Sequence, residues 1–478
     1  MWVRQDKQTV LGRLREGAAI QTIVPTADGA LEELVAVCGE LETFTMLDRI
    51  PVQRERRGIS DALLLRTLAV LPFLAHGSLQ GSAQAVFSDP AILLQLGYAP
   101  VELKEGISGR HHHAQGKTAD SIPLHIDTLR DELARLTSED WERIQEDRLG
   151  VLYAKRLIRS TKVVVDGSAL EEGERVVTLS ALTGHGLIPL AWEYLTGDAS
   201  EKGKEAAVTR KLVERVRKVG GPQAISLLLG DAFYADGPFL AWLKATGTDA
   251  LVRLPEDRCL FAEGMSLIKL EGDQWVKRRQ TRVLDGHKVP RIVEVATASD
   301  LTEWDSYAAK AKELGIPEAK LFVAFVRQLD PVLPANKAVL ALASTKEWPE
   351  AWQTYEAYRP RWWIENAGFL EFKEGWLVER YPWGRQEAIV RGRIGFTFLA
   401  QQVVTLYCHA AGRQLVGYGI RRLRRVLHQA LGGPGMIVVI DDRFAVLHIE
   451  ELLEALGHPV TQSLRRPTTF TLPDHLTS

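Results

Sequence analysis

Apolar residues recur at helical spacing through the first third of the chain and at strand spacing through its middle, and this change of period is the first organising feature of the sequence. Asp61 to His76 and Pro123 to Arg148 carry apolar positions every three to four residues, which predicts helices, and Asp89-Pro90 reads as a helix cap followed by a first-turn proline. Residues 1–150 are therefore expected to form a helical N-terminal region. Between the helical stretches, Gly106 to His113 is a turn-rich, partly basic connector. Three adjacent histidines, His111, His112 and His113, cannot all turn toward one ion, so an exposed turn is expected there rather than a metal site.

From Thr161 the pattern becomes that of strands. Lys162-Val-Val-Val-Asp166, Val176 to Leu182 and Leu187 to Leu195 are three successive runs separated by turns, which predicts a β-meander. A charged helical pattern follows from Lys204 to Val219. The apolar strand Ala224 to Leu229 then runs into Gly230-Asp231, and a helix (Gly237 to Thr246) and a strand (Ala250 to Leu254) come next. This order predicts a mixed α/β class for residues 160–256. Residues 257–345 break the rhythm with alternating segments, Trp275 to Leu284, Arg291 to Ala296, Lys320 to Arg327 and Ala338 to Ala343, around one helical piece at Ser306 to Leu314. They are read as a largely β insertion. Helices resume at Pro360 to Glu374 and Arg385 to Ala411, so residues 346–412 read as a return to the core. Residues 413–478 form a C-terminal α/β region, with a basic run Arg421 to Arg425, a glycine-rich turn, a strand Met436 to Ile440 and a helix Ala445 to Leu456. Asp441-Asp442 after that strand reads as a turn.

Composition changes this picture little. At 478 residues, 46% hydrophobic and 25% charged, the chain is long enough for several domains of ordinary globular type. A formal net charge of -2 does not announce a nucleic-acid partner, although 59 basic residues suffice for local patches. Cys38, Cys259 and Cys408 are odd in number and far apart, which argues against a disulfide framework or a structural zinc site and fits a reducing cytoplasm. No signal-peptide pattern opens the chain. The apolar stretch Ile394 to Ala411 is interrupted by Gln401, Gln402 and His409, so a buried helix is expected there and no membrane span.

The candidate chemistry lies in three carboxylates. Asp166 closes a buried strand and is followed by Gly167-Ser168. Asp231 closes a second strand in the same α/β unit, at the kind of strand end where such sheets place their active sites. Two such carboxylates side by side call for compensating charge, which divalent metal supplies. Each aspartate alone could equally cap the turn that follows it. The third lies in Tyr358-Arg-Pro-Arg361-Trp-Trp-Ile-Glu365, where Arg361 and Glu365 stand about 40° apart around a helix and so share a face. A surface ion pair is the alternative for those two residues, and the flanking Trp362, Trp363, Ile364 and Phe369 favour burial.

These residues resemble insertion-sequence transposases of the DDE type that carry a Tyr-x2-Arg-x3-Glu-x6-Lys motif. Tyr358, Arg361 and Glu365 match its first three positions. Asp166-Gly-Ser is similar to the first-aspartate motif and Asp231-Ala-Phe-Tyr234 to the second. The β insertion between the second Asp and the Glu also belongs to that family, and the likeness spans Thr161 to Ala411. One departure is plain. The motif lysine should stand at 372, which is Phe372, and Lys373 lies about 80° from the Glu365 face instead of about 20°. The resemblance implies a ribonuclease H-like mixed sheet flanked by helices, with Asp166, Asp231 and Glu365 coordinating two Mg²⁺ or Mn²⁺ ions. It implies phosphate contacts from Tyr358, Arg361 and Lys373. It further implies double-stranded DNA partners, the transposon ends and the target, and a homodimer in the DNA complex.

The rival readings are a domesticated DNA-binding protein on the same fold, a metallonuclease without strand transfer, and an unrelated α/β enzyme. The last requires a compact pocket and carboxylates that do not converge. Basic residues on the Lys204 to Lys218 helix and the Arg421 to Arg425 run suit either a DNA channel or a solvated face. Trp275 and Trp304 suit either core packing or stacking on an extruded base.

Overall fold

The computed structural model describes residues 3–25, 28–51, 59–76, 78–87, 89–98, 126–170, 173–183, 186–197, 204–272, 274–284, 287–329, 339–380, 383–410, 419–431 and 435–458. The His111 to His113 turn lies outside the described residues. Contacts divide the chain into two units, one of Met1–Leu157 with Leu370–Ser478, the other of Ile158–Phe369.

The first unit opens with β1 (Val3–Arg4), the helix Lys7–Arg15 and β2 (Thr22–Pro25). Helices Gly29–Glu40, Asp61–Val70, Pro90–Leu96, Ile126–Arg135 and Ser138–Ala154 follow. Their starts are written locally. Asp89 accepts from the amides of Ala91 and Ile92 with Pro90 in the first turn, and Thr137 and Asp140 form a reciprocal capping box. Arg148 is buried on the last of these helices. It donates to the Leu41 carbonyl at 2.7 Å and to Gln402 Oε1 at 2.9 Å, joining three separate stretches of the unit.

Among the described residues the second unit holds a nine-stranded sheet in the order β5-β4-β3-β6-β7-β11-β10-β9-β8. The meander β3 (Lys162–Ala169), β4 (Arg175–Thr183) and β5 (Gly186–Leu195) is antiparallel. After the helix Glu205–Gly220, β6 (Leu227–Gly230) pairs parallel with β3. After the helix Gly237–Ala245, β7 (Asp249–Leu254) pairs parallel with β6. Val163, Val164, Leu228, Leu229 and Leu251 are fully buried, as expected of near-continuous apolar central strands.

The expected insertion departs from its reading in one way: it starts with a helix, Cys259–Leu270, that sequence reading missed. Its strands are β8 (Val276–Leu284), β9 (His287–Leu301), β10 (Leu321–Leu329) and β11 (Val339–Ser344), whose sheet membership the sequence left open. β11 pairs antiparallel with β7, Ala341 opposite Leu254 and Ser344 opposite Leu251, so the insertion extends the central sheet. This covers an edge of β7 that would otherwise expose its backbone groups.

The expected helix from Pro360 to Glu374 is also different. Helix Ala351–Tyr358 leads into a tight turn at Arg359–Arg361, where Pro360 lacks an N–H, and then into wide π-helical turns at Ile364–Phe369 and Glu371–Gly375. The boundary between the two units falls within this stretch, and the long helix Glu387–Ala410 belongs to the first unit, where it is buried along most of its length. Among the described residues no single helix is long and apolar enough to cross a membrane.

The chain closes with the helix Ile420–Leu431, the hairpin β12 (Gly435–Ile440) and β13 (Arg443–His448), and the helix Ile449–Ala455. Sequence reading took Ala445 to Leu456 as one helix. The difference is the turn at Asp441 and Asp442, which adopt φ of 47° and 57° and fold the next apolar run back as a strand. The resulting sheet has the order β1-β13-β12-β2, so the expected C-terminal region shares its sheet with the start of the chain. Val438, Ile440, Ala445 and Leu447 face the helices Lys7–Arg15 and Ile449–Ala455, while Ile437, Val439 and Phe444 pack on Ala91 and Leu94.

Candidate active site

Two aspartates lie just beyond the paired stretch of two parallel strands. Val164 of β3 lies opposite Leu229 of β6. Asp166 follows two residues later inside β3, which continues to Ala169, and not at the strand end expected from sequence, whereas Asp231 follows the last residue of β6. Asp166 is 8% exposed and its Oδ1 accepts the Gly167 amide at 2.8 Å. Asp231 caps the tight turn Ala232–Tyr234 by accepting the Phe233 amide at 2.8 Å. The turn-capping role open for Asp231 from sequence is thus realised alongside its place at the strand end. Gly230 makes that turn possible, because a Cβ there would stand 2.8 Å from the Tyr234 side chain.

The segment after helix Ala351–Tyr358 brings the other polar groups. Tyr358 is buried and its hydroxyl donates to the Gly230 carbonyl at 3.0 Å, so it braces the strand that carries Asp231 instead of presenting its hydroxyl outward. Arg361 is 6% exposed. It lies over the Tyr358 ring, reaches Asp166 Oδ2 with Nη1 at 3.5 Å, and pairs through Nη2 with Glu365. The i,i+4 pair given by spacing therefore exists. Arg361 is buried, as the flanking residues suggested, and has a second carboxylate partner, but Trp362 and Trp363 are exposed, against the expected burial. Glu365 is half-exposed.

Burial raises the Asp166 carboxyl from its ordinary 3.8 to about 7, and the neighbouring Asp231 adds to the rise, while Arg361 and the Gly167 amide oppose it. Asp231 is raised too, chiefly by burial, with Glu205 and Glu365 adding and the Phe233 amide and Arg361 opposing. Burial works against the charge of Arg361, yet Tyr358, Glu365 and Asp166 hold its pKa above the ordinary value. The three carboxylates thus share one electrostatic neighbourhood with a guanidinium among them. Among the described residues no three His, Cys, Asp or Glu side chains stand close enough, as placed, to grasp one ion.

Sequence reasoning missed a fourth carboxylate. Glu205, at the start of the helix after β5, is buried and pairs with Arg175 of β4 at 2.8 Å. A Cβ on Gly167 would stand 3.3 Å from Glu205 Cγ, so the residue after Asp166 is held small by this packing. No sequence signal marks the pair, whose members are joined only by the fold.

Other candidates are placed as follows. Lys373 lies in the first unit and pairs with Glu379. On the helix Glu205–Gly220, Arg210 stacks over Trp242, Arg215 approaches Glu193 at 3.6 Å and Arg217 donates to the Thr246 carbonyl at 2.6 Å. Lys204, Lys211 and Lys218 remain exposed. On Ile420–Leu431, Arg424 is anchored to Asp28 and the Leu74 carbonyl, whereas Arg421, Arg422 and Arg425 are exposed. Trp304 is buried, and Trp275 carries the Arg327 guanidinium 3.6 Å above its ring.

No protein-family model matches this chain, and no curated protein matches it.

Proposed function

We propose that the chain is a DNA transposase of the DDE class, which cuts at the ends of an insertion sequence and joins the freed 3'-hydroxyl to target DNA. The observation that carries this reading is the gathering of Asp166 of β3, Asp231 after the parallel strand β6 and Glu365 into one electrostatic neighbourhood around Arg361, which reaches Asp166 and pairs with Glu365. The finer fold assignment belongs to the same proposal. An antiparallel meander followed by a helix, a parallel strand, a helix and a parallel strand is the order of a ribonuclease H-like core.

Asp166, Asp231 and Glu365 are the residues that would hold Mg²⁺ or Mn²⁺. Their carboxylate oxygens are the hard donors these ions take, but as placed, with Glu365 paired to Arg361, the three do not converge on one ion, so holding it would require Glu365 to turn from Arg361. Bound there, two ions would supply activation of the attacking water or 3'-hydroxyl and stabilisation of the leaving oxygen. The chain's own residues prepare the site. The Phe233 amide fixes one oxygen of Asp231, and Tyr358 holds the strand beneath it through the Gly230 carbonyl. Arg361 is the group suited to a phosphate, because a guanidinium matches its oxygens with two parallel donors. The partners in this reading are double-stranded DNA and a second copy of the chain, since two ends must be joined.

The test is cleavage and strand joining on a labelled fragment carrying the chain's own gene with its flanking DNA, in Mg²⁺, comparing the wild type with Glu365→Gln. The wild type is expected to cut and join, and the variant to do neither. Equal joining by both proteins, or none by either, overturns the reading.

A further inference from the structure

Arg361 stands where the acidic site needs positive charge. One arm of its guanidinium faces Asp166 at 3.5 Å and the other pairs with Glu365, on a segment that Tyr358 ties to the end of β6 through the Gly230 carbonyl. Its position among the carboxylates does two things. It offsets their mutual repulsion, and it occupies the side of Asp166 and Glu365 that a shared ion would use. Its own bonding is incomplete, because Nε and Nη1 are buried without a hydrogen-bond acceptor and the approach to Asp166 is too long for a good hydrogen bond. A buried guanidinium with unused donors gains by meeting a better acceptor, and a phosphate oxygen pair is one. Glu365 is half-exposed and sits on a wide π-helical turn, so its carboxylate has room to turn toward a new partner.

We propose that Arg361 is the internal counter-ion of this site. It competes with divalent metal for Asp166 and Glu365, and metal loading releases it to bind a phosphate of the DNA. The inference rests on the two-metal reading above and adds a consequence that reading lacks: binding of metal and release of the phosphate-binding arginine are one linked event.

The experiment is Mn²⁺ titration of the full chain without DNA, by calorimetry, on the wild type, R361Q, R361K and E365Q. Removing a buried charge of the same sign as the metal is expected to tighten Mn²⁺ binding about ten-fold or more in R361Q, whereas R361K, which keeps the charge, stays near the wild type. E365Q is expected to weaken binding. Should R361Q fail to fold, the wild type carries the test through the ¹⁵N signal of the Arg361 Nε–H, identified by its loss in R361K. It must shift as Mg²⁺ is added. Mn²⁺ affinity unchanged or weakened in R361Q, or a signal unmoved by Mg²⁺, overturns the proposal. If the wild type binds Mn²⁺ and E365Q does not while R361Q behaves as the wild type, only the counter-ion role fails. If none of the proteins binds Mn²⁺, the two-metal reading fails with it.

Discussion

Replacing Asp166 with asparagine is expected to stabilise the metal-free protein, and by an amount that depends on pH. The side chain keeps its size and its acceptor for the Gly167 amide, while the charge that burial and Asp231 oppose is removed. In the folded chain the Asp166 carboxyl titrates near 7, against an ordinary value of 3.8. Between those values the folded state binds more protons than the unfolded state, so the wild type loses stability as pH rises from about 4 through 7. A rise of roughly three units corresponds to a ceiling of about 4 kcal/mol, and sharing of the effect with Asp231 makes about 2–4 kcal/mol the expected range. Hydrogen-exchange protection of the β3 and β6 amides in EDTA, compared between the two proteins at each pH, reads the difference for the second unit alone. The gap should be small at pH 4, open through pH 6 and level off above 8. A gap that does not change with pH would refute the argument, because the local charge would then have no bearing on stability.

Two further substitutions test the packing. Arg148→Ala strands the Leu41 carbonyl and Gln402 in the core of the first unit and is expected to cost about 3–5 kcal/mol, seen as a lowered thermal midpoint, with Arg148→Lys recovering only part of it. Gly230→Ala places a methyl group 2.8 Å from the Tyr234 Cβ and should cost about 1–3 kcal/mol in urea unfolding.

Asp231 was legible because it follows an apolar run at a turn, a local pattern. Asp166 was read the same way, but β3 runs on through it to Ala169 in register with β4, so it sits inside the strand and does not close it. Their nearness was hidden, since the register of β3 on β6 joins chain more than sixty residues apart. The insertion strands were visible from alternation, but nothing local distinguishes a separate sheet from one continued by β11 on β7. Spacing gave the Arg361–Glu365 pair and missed the Asp166 partner for the same reason. The inward turn of Tyr358 was hidden because an aromatic hydroxyl suits a phosphate and a buried carbonyl equally well. Phe444 to Leu447 fits a helix or a strand, and only the left-handed pair Asp441 and Asp442 decides for the strand.

Composition misleads about the nucleic-acid question in an instructive way. Counted along the chain, arginine looks plentiful enough for a broad basic surface, yet much of it is committed inside. Arg148 and Arg393 are buried on backbone carbonyls, Arg291 is tied to Gln280, Gln328 and Tyr355, and Arg217 and Arg424 also bond backbone oxygens. A guanidinium so engaged would have to break these bonds to meet a phosphate. For the proposed DNA partner, the candidate contacts therefore narrow to the exposed cations, among them Lys204, Lys211, Lys218 and Arg279 in the second unit and Arg421, Arg422 and Arg425 in the first. A net charge near zero is consistent with such a partner because binding depends on this exposed subset, and the sum over the chain does not report it.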